Sequence, residues 1–434
     1  MATMLMPRSL SRLSSKILRN SYFHGAGHKS VGSIFNQMKS RVLFTIITLL
    51  FFLPSAFAQK RLIIETEKII KSGKNLEKAE QNMRNLLRDS ANRKNIKVWA
   101  TLTDAMRGQY LASNENIYLQ NRQDTAKLFQ LARRMFLDYQ GLDTIDATPD
   151  KKGRVRPSYR KSNAQFLDTY RPNLYNGGIY FIRKNNLQQA YTMLESYLDC
   201  LRQPLFSNMN YAADTLNYTA AFWTVFCGYH LGNREMTLRY KDLALRDTAR
   251  LENTLQYLAE TYKAMNDTAS YEQSLRMGFQ CNRQSPYFFP RIVDLYNQTL
   301  HPDSAMAIVD QALAANDTLE LFLYAKSNLL LNRGDYDACI ALCDTMIARN
   351  DSMADAYYNA GVAYLNKVFL IEKGKVGPKQ RKEMQKLYRK ALPYMERYRA
   401  LEPKETEKWA AALYNIYLKL NMGREFEEID RMLR

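Results

Sequence analysis

The sequence has few of the residues that build turns, disulfide frameworks or catalytic centres. Its 434 residues include 17 Gly, 12 Pro, 5 Cys and 4 His. So few turn-forming residues in a long chain argue against a many-stranded β fold and favour helices. An odd, sparse set of cysteines is not a disulfide framework, and so few histidines leave little for Ser-His-Asp or Cys-His catalysis. We therefore expect an all-α chain that is not an enzyme.

No motif for a cofactor or a metal stands out. The glycines do not form a phosphate-binding loop. Cys339 and Cys343 are four residues apart, on one helix face, but beyond residue 58 only His230 and His301 could add imidazole ligands. Buried, apolar cysteines are a better interpretation than a metal site. We expect no cofactor.

Positive charge is abundant. The formal net charge is +19, from 62 Lys or Arg and 43 Asp or Glu. Residues 1–58 hold seven of the bases and no acid, so the remainder carries +12. A basic surface of this size suits an acidic protein, an anionic glycan or a membrane surface. Charge alone also suits nucleic acid, but the compartment predicted next argues against that partner.

An export signal is the clearest local feature. Lys39 and Arg41 precede an uninterrupted apolar run over residues 42–53, and Ala56-Phe57-Ala58 provides a small-x-small cleavage site. The run has about 12 residues, fewer than the roughly 20 of a membrane span. We predict a signal peptide over residues 38–58, cleaved after Ala58, and a mature protein in the periplasm or cell envelope.

Residues 1–37 do not belong to that signal peptide. They are basic, rich in serine and free of acidic residues. One interpretation is a start codon assigned too early, with translation from Met38. The other is a mitochondrial transit peptide followed by a membrane segment.

A 34-residue period organises the C-terminal half of the chain. Two alignment columns keep this spacing over four units. Within a unit, steps of three and four between apolar residues mark two helix faces, and Asn332–Asp335 marks the turn between them. One helix pair cannot bury its faces alone, so stacked pairs are expected. The two columns are Tyr262, Tyr296, Leu330, Tyr364 and Leu255, Phe289, Leu323, Tyr357.

The unit pattern resembles the tetratricopeptide repeat (TPR) family. Residues 356–364 read Ala-Tyr-Tyr-Asn-Ala-Gly-Val-Ala-Tyr, and Trp409 follows Pro403 where the family has the next aromatic residue. An earlier unit matches at Gly178, Phe181, Ala190, Leu194 and Tyr197. The resemblance implies a right-handed superhelical solenoid of antiparallel helix pairs that binds protein or peptide partners.

Composition and register divide the chain. We predict a helical, TPR-like region over 59–140, a basic linker or insertion over 141–170, and a repeat array over 171–434. Residues 367–390, rich in Lys and Arg, interrupt the array as an insertion. Insertions in solenoids usually form loops, so both basic segments are expected to be solvated loops or docking sites for an anionic partner.

An Asp-Ser/Thr-apolar motif recurs ten times. Helix capping explains it, because Asp and Thr favour helix starts. The alternative is O-glycosylation, because the motif resembles the acceptor used in one group of Gram-negative bacteria. The candidate acceptors are Thr125, Thr144, Thr248, Thr268, Thr318 and Ser352. The motif that begins at Asp344 is expected to lie within a helix, so it should be the poorest acceptor site.

The family resemblance places ligand contacts on the concave face of the first helices. Asn328 and Asn359 match the two Asn positions of relatives that clamp a peptide carboxylate, but Tyr324, Glu407 and Ala411 stand where bases are needed. A groove of Tyr and Asn side chains instead suits an extended peptide or a sugar. The candidate residues are Arg291, Asp294, Asn297, Tyr324, Asn328, Tyr358 and Asn359.

The sequence therefore predicts an exported, non-catalytic scaffold for protein–protein interaction in a bacterial cell envelope. The alternative is a module that binds a carbohydrate or an envelope polymer through the Tyr/Asn groove.

Overall fold

The computed structural model describes residues 58–120 and 124–434, and every regular element in them is a helix. The predicted leader and all but the last residue of the predicted signal peptide lie outside the described residues. The chain is helical over 58–72 (α1). The further helices are α2 Leu76–Arg88, α3 Ile96–Gln120, α4 Thr125–Asp146, α5 Arg160–Asp168, α6 Pro172–Arg183, α7 Leu187–Asp199, α8 Leu216–His230, α9 Arg234–Leu238, α10 Lys241–Ala244, α11 Leu251–Ala264, α12 Thr268–Cys281, α13 Phe288–Gln298, α14 Pro302–Ala315, α15 Glu320–Arg333, α16 Tyr336–Arg349, α17 Ala354–Glu372, α18 Pro378–Leu401, α19 Thr406–Lys419 and α20 Gly423–Leu433.

The chain divides into two compact units at residues 105 and 106. In the described part of the first unit, Ala79 and Met83 of α2 are fully buried, as their helical spacing predicts. Val98 is also fully buried, whereas its neighbour Trp99 is half-buried. The indole N–H of Trp99 donates to the carbonyl of Arg93, 2.9 Å away. Val98 is therefore the residue that begins the apolar face of α3.

From α6 onward, the second unit is a series of helix pairs in which each long helix packs mainly against its neighbours in sequence. The pairs are α6/α7, α8 with the short α9 and α10, α11/α12, α13/α14, α15/α16, α17/α18 and α19/α20. This order confirms the all-α, helix-pair architecture. The α15/α16 pair and the start of α17 lie where the 34-residue period places them, whereas α18 begins eight residues later than the period places it.

Tight turns within six of the pairs share one geometry. One residue of each turn is left-handed, with φ between 55° and 85°. The next residue donates its N–H to the carbonyl five positions earlier, at 2.8–3.0 Å. This Schellman arrangement satisfies carbonyls that the end of a helix leaves free. The left-handed residues are Asn185, Gly232, Asn266, Leu300, Gly334 and Asn421.

The 34-residue register begins one unit earlier than the alignment columns indicate. Gly232, Asn266, Leu300 and Gly334 are spaced by 34, so α8 is a first helix in register with α11. Gly228 of α8 occupies the column that holds Tyr262 of α11. A Cβ atom on Gly228 would lie 2.4 Å from the backbone N of Thr237, so the short α9 can approach only because this residue is glycine.

The insertion over 367–390 is helical, so the expectation of a loop there is wrong. Val368 occupies the position of the left-handed turn residues, is nearly fully buried, and is β-branched, which disfavours a left-handed backbone. α17 therefore runs on to Glu372, and α18 begins at Pro378, which is preorganised for a helix start. Only residues 373–377 separate the two helices.

The basic segment over 141–170 is also partly helical. α4 continues through Asp146, α5 occupies Arg160–Asp168, and residues 147–159 and 169–170 lie outside helices. The Arg160 guanidinium makes two bonds of 2.8 Å to Asp143, a nearly buried carboxylate inside α4. A solvated loop is therefore the correct description for 147–159 alone.

An arginine fixes the irregular stretch between α7 and α8. The Arg171 guanidinium lies 3.8 Å and 4.1 Å from the ring centres of Tyr197 and Tyr211. It donates to Asp214 and Asn217, both at 2.8 Å. Because Arg171 is nearly buried, this cation has exchanged water for two aromatic rings and two polar partners, and its buried Nε has no hydrogen-bond partner in the described residues.

Four of the five cysteines are buried, which confirms the apolar interpretation for them. Cys339 and Cys343 share one face of α16, as their spacing predicts. Cys281 at the end of α12 is exposed and does not fit that interpretation. Burial and then the nearby Glu252 raise the pKa of Cys281, so its thiol is not activated as a nucleophile.

Candidate functional site

The predicted groove residues lie on three successive first helices, α13, α15 and α17. Asp294 and Asn297 of α13 are exposed. Arg291 is half-buried, because its guanidinium stacks 3.9 Å from the centre of the Tyr287 ring and its Nε lies 3.6 Å from Glu260. The α13 part of the groove is thus polar and only partly open.

The structure corrects the placement of Asn359. Its side chain is 2 % exposed, so it does not line an open groove. Its amide donates to Ser327 Oγ and to Asn328 Oδ1, both at 2.8 Å. The two Asn side chains that match the carboxylate-clamp pattern therefore bind each other across α15 and α17, and a peptide carboxylate would have to displace that bond.

Two tyrosines of the predicted groove also serve the core. Tyr358 packs against Tyr398, with ring centres 5.1 Å apart. Tyr324 is half-buried against the core cluster around Cys339 and Cys343. Each ring keeps part of its surface open, so these residues are only partly available to a ligand.

A larger aromatic surface lies on α8 and α11, which the sequence analysis did not include. Trp223, Phe226, Tyr229 and Tyr257 are half-buried and His230 is exposed; we call these five residues the aromatic face. The ring of Phe226 lies 5.3 Å from Trp223, 6.0 Å from Tyr257 and 4.3 Å from His230. The rings of Tyr229 and Tyr257 lie 4.8 Å apart. The contacts of Phe226 with Trp223 and Tyr257 are edge-to-face and the other two are tilted, and together they hold the rings against one another.

The repeat register places this face in the same columns as the predicted groove. Trp223 is 34 residues before Tyr257, which is 34 before Arg291. Phe226 likewise precedes Glu260 and Asp294. The 34-residue spacing of these rings is visible in the sequence. The column of Tyr262, Tyr296, Leu330 and Tyr364 does not reveal it, because the residue 34 positions before Tyr262 is Gly228. Extending the offset of 34 from Arg291 through Tyr257 would have found Trp223.

A polar cluster adjoins the aromatic face. Glu260 lies on α11, one turn after Tyr257, and accepts a 2.7 Å hydrogen bond from the Tyr287 hydroxyl. Arg291 completes the cluster through its contacts with Glu260 and Tyr287. Burial and then the hydrogen bond to Glu260 raise the pKa of Tyr287, so its hydroxyl stays a donor at neutral pH. Polar groups beside a fixed apolar surface can orient a ligand that the rings hold.

The aromatic face consists of neutral rings and hydroxyls. Burial and then the neighbouring Tyr229 raise the pKa of Tyr257, which keeps its hydroxyl neutral and unreactive. In the described part of the chain, no group of three or more His, Cys, Asp or Glu side chains is placed to hold a metal ion. Aromatic rings and neutral hydroxyls offer stacking, apolar contact and hydrogen bonds.

The Asp-Ser/Thr motifs occupy several kinds of position. Asp124 and Asp267 cap helices as expected, since their side chains accept N–H bonds in the first turns of α4 and α12. Asp143 and Asp344 lie inside helices, so helix capping does not explain those two motifs.

Four of the candidate acceptor residues are exposed at turns or helix starts: Thr248, Thr268, Thr318 and Ser352. Thr318 and Ser352 lie in equivalent turns, where Asn316 and Asn350 accept their N–H groups at 3.1 Å and 3.0 Å. Thr125 is half-buried at the start of α4. Thr144 is exposed within α4, where its hydroxyl donates to the Gln140 carbonyl.

None of the helices in residues 58–120 or 124–434 combines the length and apolar content that a membrane span needs. No family model matches the chain. No curated protein sequence matches it either.

The solved structures that the chain is similar to include tetratricopeptide repeat proteins. YrrB, described as a TPR protein with an unusual peptide-binding site, is 15 % identical, covers 47 % of this chain and 96 % of its own, and has a TM-score of 0.34. A tetratricopeptide repeat protein from Parabacteroides merdae is 15 % identical, covers 60 % of this chain and 96 % of its own, and has a TM-score of 0.32. Human IFIT1 with m7Gppp-AAAA is 13 % identical, covers 66 % of this chain and 74 % of its own, and has a TM-score of 0.33. The assignment of helix-pair repeats to this chain rests on its own turns and register.

Proposed function

We propose that the chain is an exported, non-catalytic repeat scaffold that binds a protein or peptide partner through the aromatic face and the adjoining polar cluster. The observation that carries the proposal is the fixed set of half-buried rings on α8 and α11, in the columns where first helices of this repeat type present ligand contacts. Tyr and Trp are enriched at protein interfaces, because one ring supplies a large contact area at a low cost in conformational entropy.

The location in the periplasm or cell envelope rests on the sequence over residues 38–58. A basic start, a short apolar run and a small-x-small site together support cleavage after Ala58. The net charge of +12 on the remainder supports an acidic partner, because opposite charge raises the rate of encounter. N-terminal sequencing of the protein from its native host tests the cleavage site, and a first residue other than Gln59 would contradict it.

The experiment for partner binding compares co-purification by the wild-type chain and a Trp223→Ala/Tyr257→Ala variant from cell envelopes. Loss of the two rings removes the centre of the aromatic face, so we expect the partner to be lost while thermal unfolding stays cooperative. Tyr159→Ala is the matched control, because this exposed ring lies in the loop before α5, outside the aromatic face. Equal recovery of the partner by wild type and the double variant would sink the proposal.

A carbohydrate is the second candidate ligand, and the half-open faces of Trp223 and Tyr257 beside Glu260 are the observation that favours it. Sugar rings stack on aromatic faces while a nearby carboxylate accepts hydroxyl protons. Binding of the wild-type chain to a glycan array, lost in the double variant, would favour this candidate over a protein partner.

We also propose that some exposed Asp-Ser/Thr sites are O-glycosylation acceptors. Thr318 and Ser352 are the best placed, since both lie in exposed turns outside the helices, whereas Thr144 lies within α4. Peptide mass mapping of the protein from its native host tests this order. Unmodified turns would contradict the proposal, as would modification at Thr144 alone.

A further inference from the structure

The end of the α17/α18 pair extends beyond the neighbouring helices. α15, α16 and α19 have 14 residues each, whereas α17 has 19 and α18 has 24. At 1.5 Å per residue, the additional length of α17 alone is about 7 Å. We call residues 369–382 the hairpin tip. Because the neighbouring helices are shorter, the side chains of the tip have fewer neighbours to pack against and more of them are exposed.

Two large apolar side chains stand out on the tip. Phe369 is 53 % exposed and Leu370 is 55 % exposed. Their neighbours Val368 and Ile371 do pack into the core with Leu387 and Tyr388 of α18. The exposed pair therefore contributes little to the fold. An adjacent exposed Phe and Leu is a feature of surfaces that meet another apolar phase.

The tip is also strongly basic. It contains five Lys or Arg and one acidic residue, Glu372. None of the five bases forms an ion pair with another described residue. The Lys373 ammonium instead lies 4.6 Å from the centre of the Phe369 ring. Beyond the tip, exposed Lys386 and Arg389 continue the helical spacing of Lys379 and Lys382. Positive charge thus lies against Phe369 at Lys373 and continues along the exposed side of α18, where Glu383 is the one acid among these bases.

A recess beside the tip offers a place for an anionic group. It has a volume of about 420 Å³ and is lined by the end of α17, the loop after it, α18 and the end of α19. Arg381 and Lys419 line it together with Met384 and Tyr388, and Glu372 adds one acid. Two bases over an apolar floor suit a phosphate ester attached to a hydrocarbon.

We propose that the hairpin tip docks the protein on an anionic phospholipid surface, with Phe369 and Leu370 entering the headgroup region and the bases contacting phosphates. The combination favours lipid over an acidic protein, because the apolar pair and the surrounding bases match the two layers of a membrane surface. Each base near such a surface contributes about five-fold in affinity. Docking is independent of the aromatic face, so the tip and the partner site can act together.

The test is sedimentation of the purified mature protein with vesicles of phosphatidylcholine, with and without phosphatidylglycerol. We expect binding only to the anionic vesicles. Lys373→Gln/Lys375→Gln/Lys379→Gln should reduce it by about 100-fold, from three bases at about five-fold each. The matched control is Lys151→Gln/Lys152→Gln/Arg156→Gln, which removes three exposed charges from the loop over 147–159 and should retain most of the binding. Equal losses in the two variants would show non-specific attraction and overturn the proposal.

A second variant reports on insertion. In a Phe369→Trp variant, the fluorescence emission of the new indole should shift to shorter wavelength when anionic vesicles are added. The same measurement on the wild type gives the contribution of its native Trp residues. Phe369→Ser/Leu370→Ser should weaken binding most at high salt, where charge attraction is screened. Binding without any spectral change, or binding to an acidic protein but not to vesicles, would contradict docking on lipid.

Discussion

Leu300 adopts a backbone conformation that suits asparagine or glycine better than leucine. It is the left-handed residue of the α13/α14 turn, with φ of 59°, where three sister turns have Asn and two have Gly. Its side chain is 86 % exposed, so it gains almost nothing from burial. A left-handed conformation costs an ordinary L-residue roughly 1–2 kcal/mol, and Asn less.

We therefore predict that Leu300→Asn raises the free energy of unfolding by about 0.5–1 kcal/mol. Urea unfolding followed by circular dichroism measures the change. Leu300→Ala is the control, because it removes the apolar side chain and keeps the strained Cβ, and its effect should be close to zero. The explanation by backbone strain fails if the Asn and Ala variants are equally stable.

Arg171 and Asp214 form the pair that holds the stretch between α7 and α8. Burial by itself would raise the pKa of Asp214, but hydrogen bonds from Tyr197 and Arg171 hold it below its ordinary value. A carboxyl with a lowered folded-state pKa contributes stability that is complete above its unfolded pKa of about 3.9. That contribution is lost as the pH falls through the folded-state pKa.

We predict that Asp214→Asn destabilises the chain at pH 7 and that the difference from wild type shrinks below about pH 4. Arg171→Ala should cost about 2–4 kcal/mol at pH 7, because it leaves a partly buried carboxylate without its cation. Thermal unfolding across a pH series measures both effects. A difference between wild type and Asp214→Asn that is constant from pH 7 to pH 3 contradicts the linkage.

Side-chain pairing across helices is what the sequence could not show at the site. The position of Asn359 in a helical unit predicted a groove contact, but its role depends on Ser327, a small buried side chain 32 residues earlier that leaves space for the amide. Likewise the aromatic face depends on rings from α8 and α11 meeting in space. Helical spacing predicts which face of its helix a residue occupies. It does not predict which side chain of another helix packs against that face.

At the scale of elements, helix pairs with regular turns were predictable and irregular ones were not. The α15/α16 pair follows from apolar spacing and from the Gly334 turn, and the start of α17 follows from the apolar spacing over residues 356–364. The register of α8 was missed because Gly228 interrupts an aromatic column to admit α9. The inserted segment contains Lys, Gly and Pro, a composition typical of loops, yet α17 continues past buried Val368 to Glu372 and only residues 373–377 lie outside the helices.

Gly228 provides a test of this α8/α9 contact. We predict that Gly228→Ala lowers the free energy of unfolding by about 1–3 kcal/mol, because the new methyl group meets the backbone of Thr237. The matched control is Gly423→Ala at the start of α20, where a Cβ has open space and Ala favours the helix. Denaturant unfolding of both variants measures the contrast, and equal stabilities would contradict the close packing.

At the scale of the whole molecule, the second unit separates two kinds of surface. The first helices α8 and α11 present fixed rings beside Glu260 and Arg291, whereas the hairpin tip presents an apolar pair among bases. The two surfaces differ in their response to salt, because screening weakens contacts made by exposed charges far more than contacts made by aromatic rings. A partner held by the aromatic face should stay bound at moderate salt.

Photo-crosslinking in cells tests the central claim, that the aromatic face binds a partner protein, most directly. A photoreactive phenylalanine analogue replaces Phe226 in the aromatic face, and in a separate control chain it replaces exposed Leu300. Mass spectrometry then identifies the adducts. We predict one predominant exported protein crosslinked from position 226 and absent from position 300. No protein adduct at position 226, or the same set of proteins from both positions, would contradict the account.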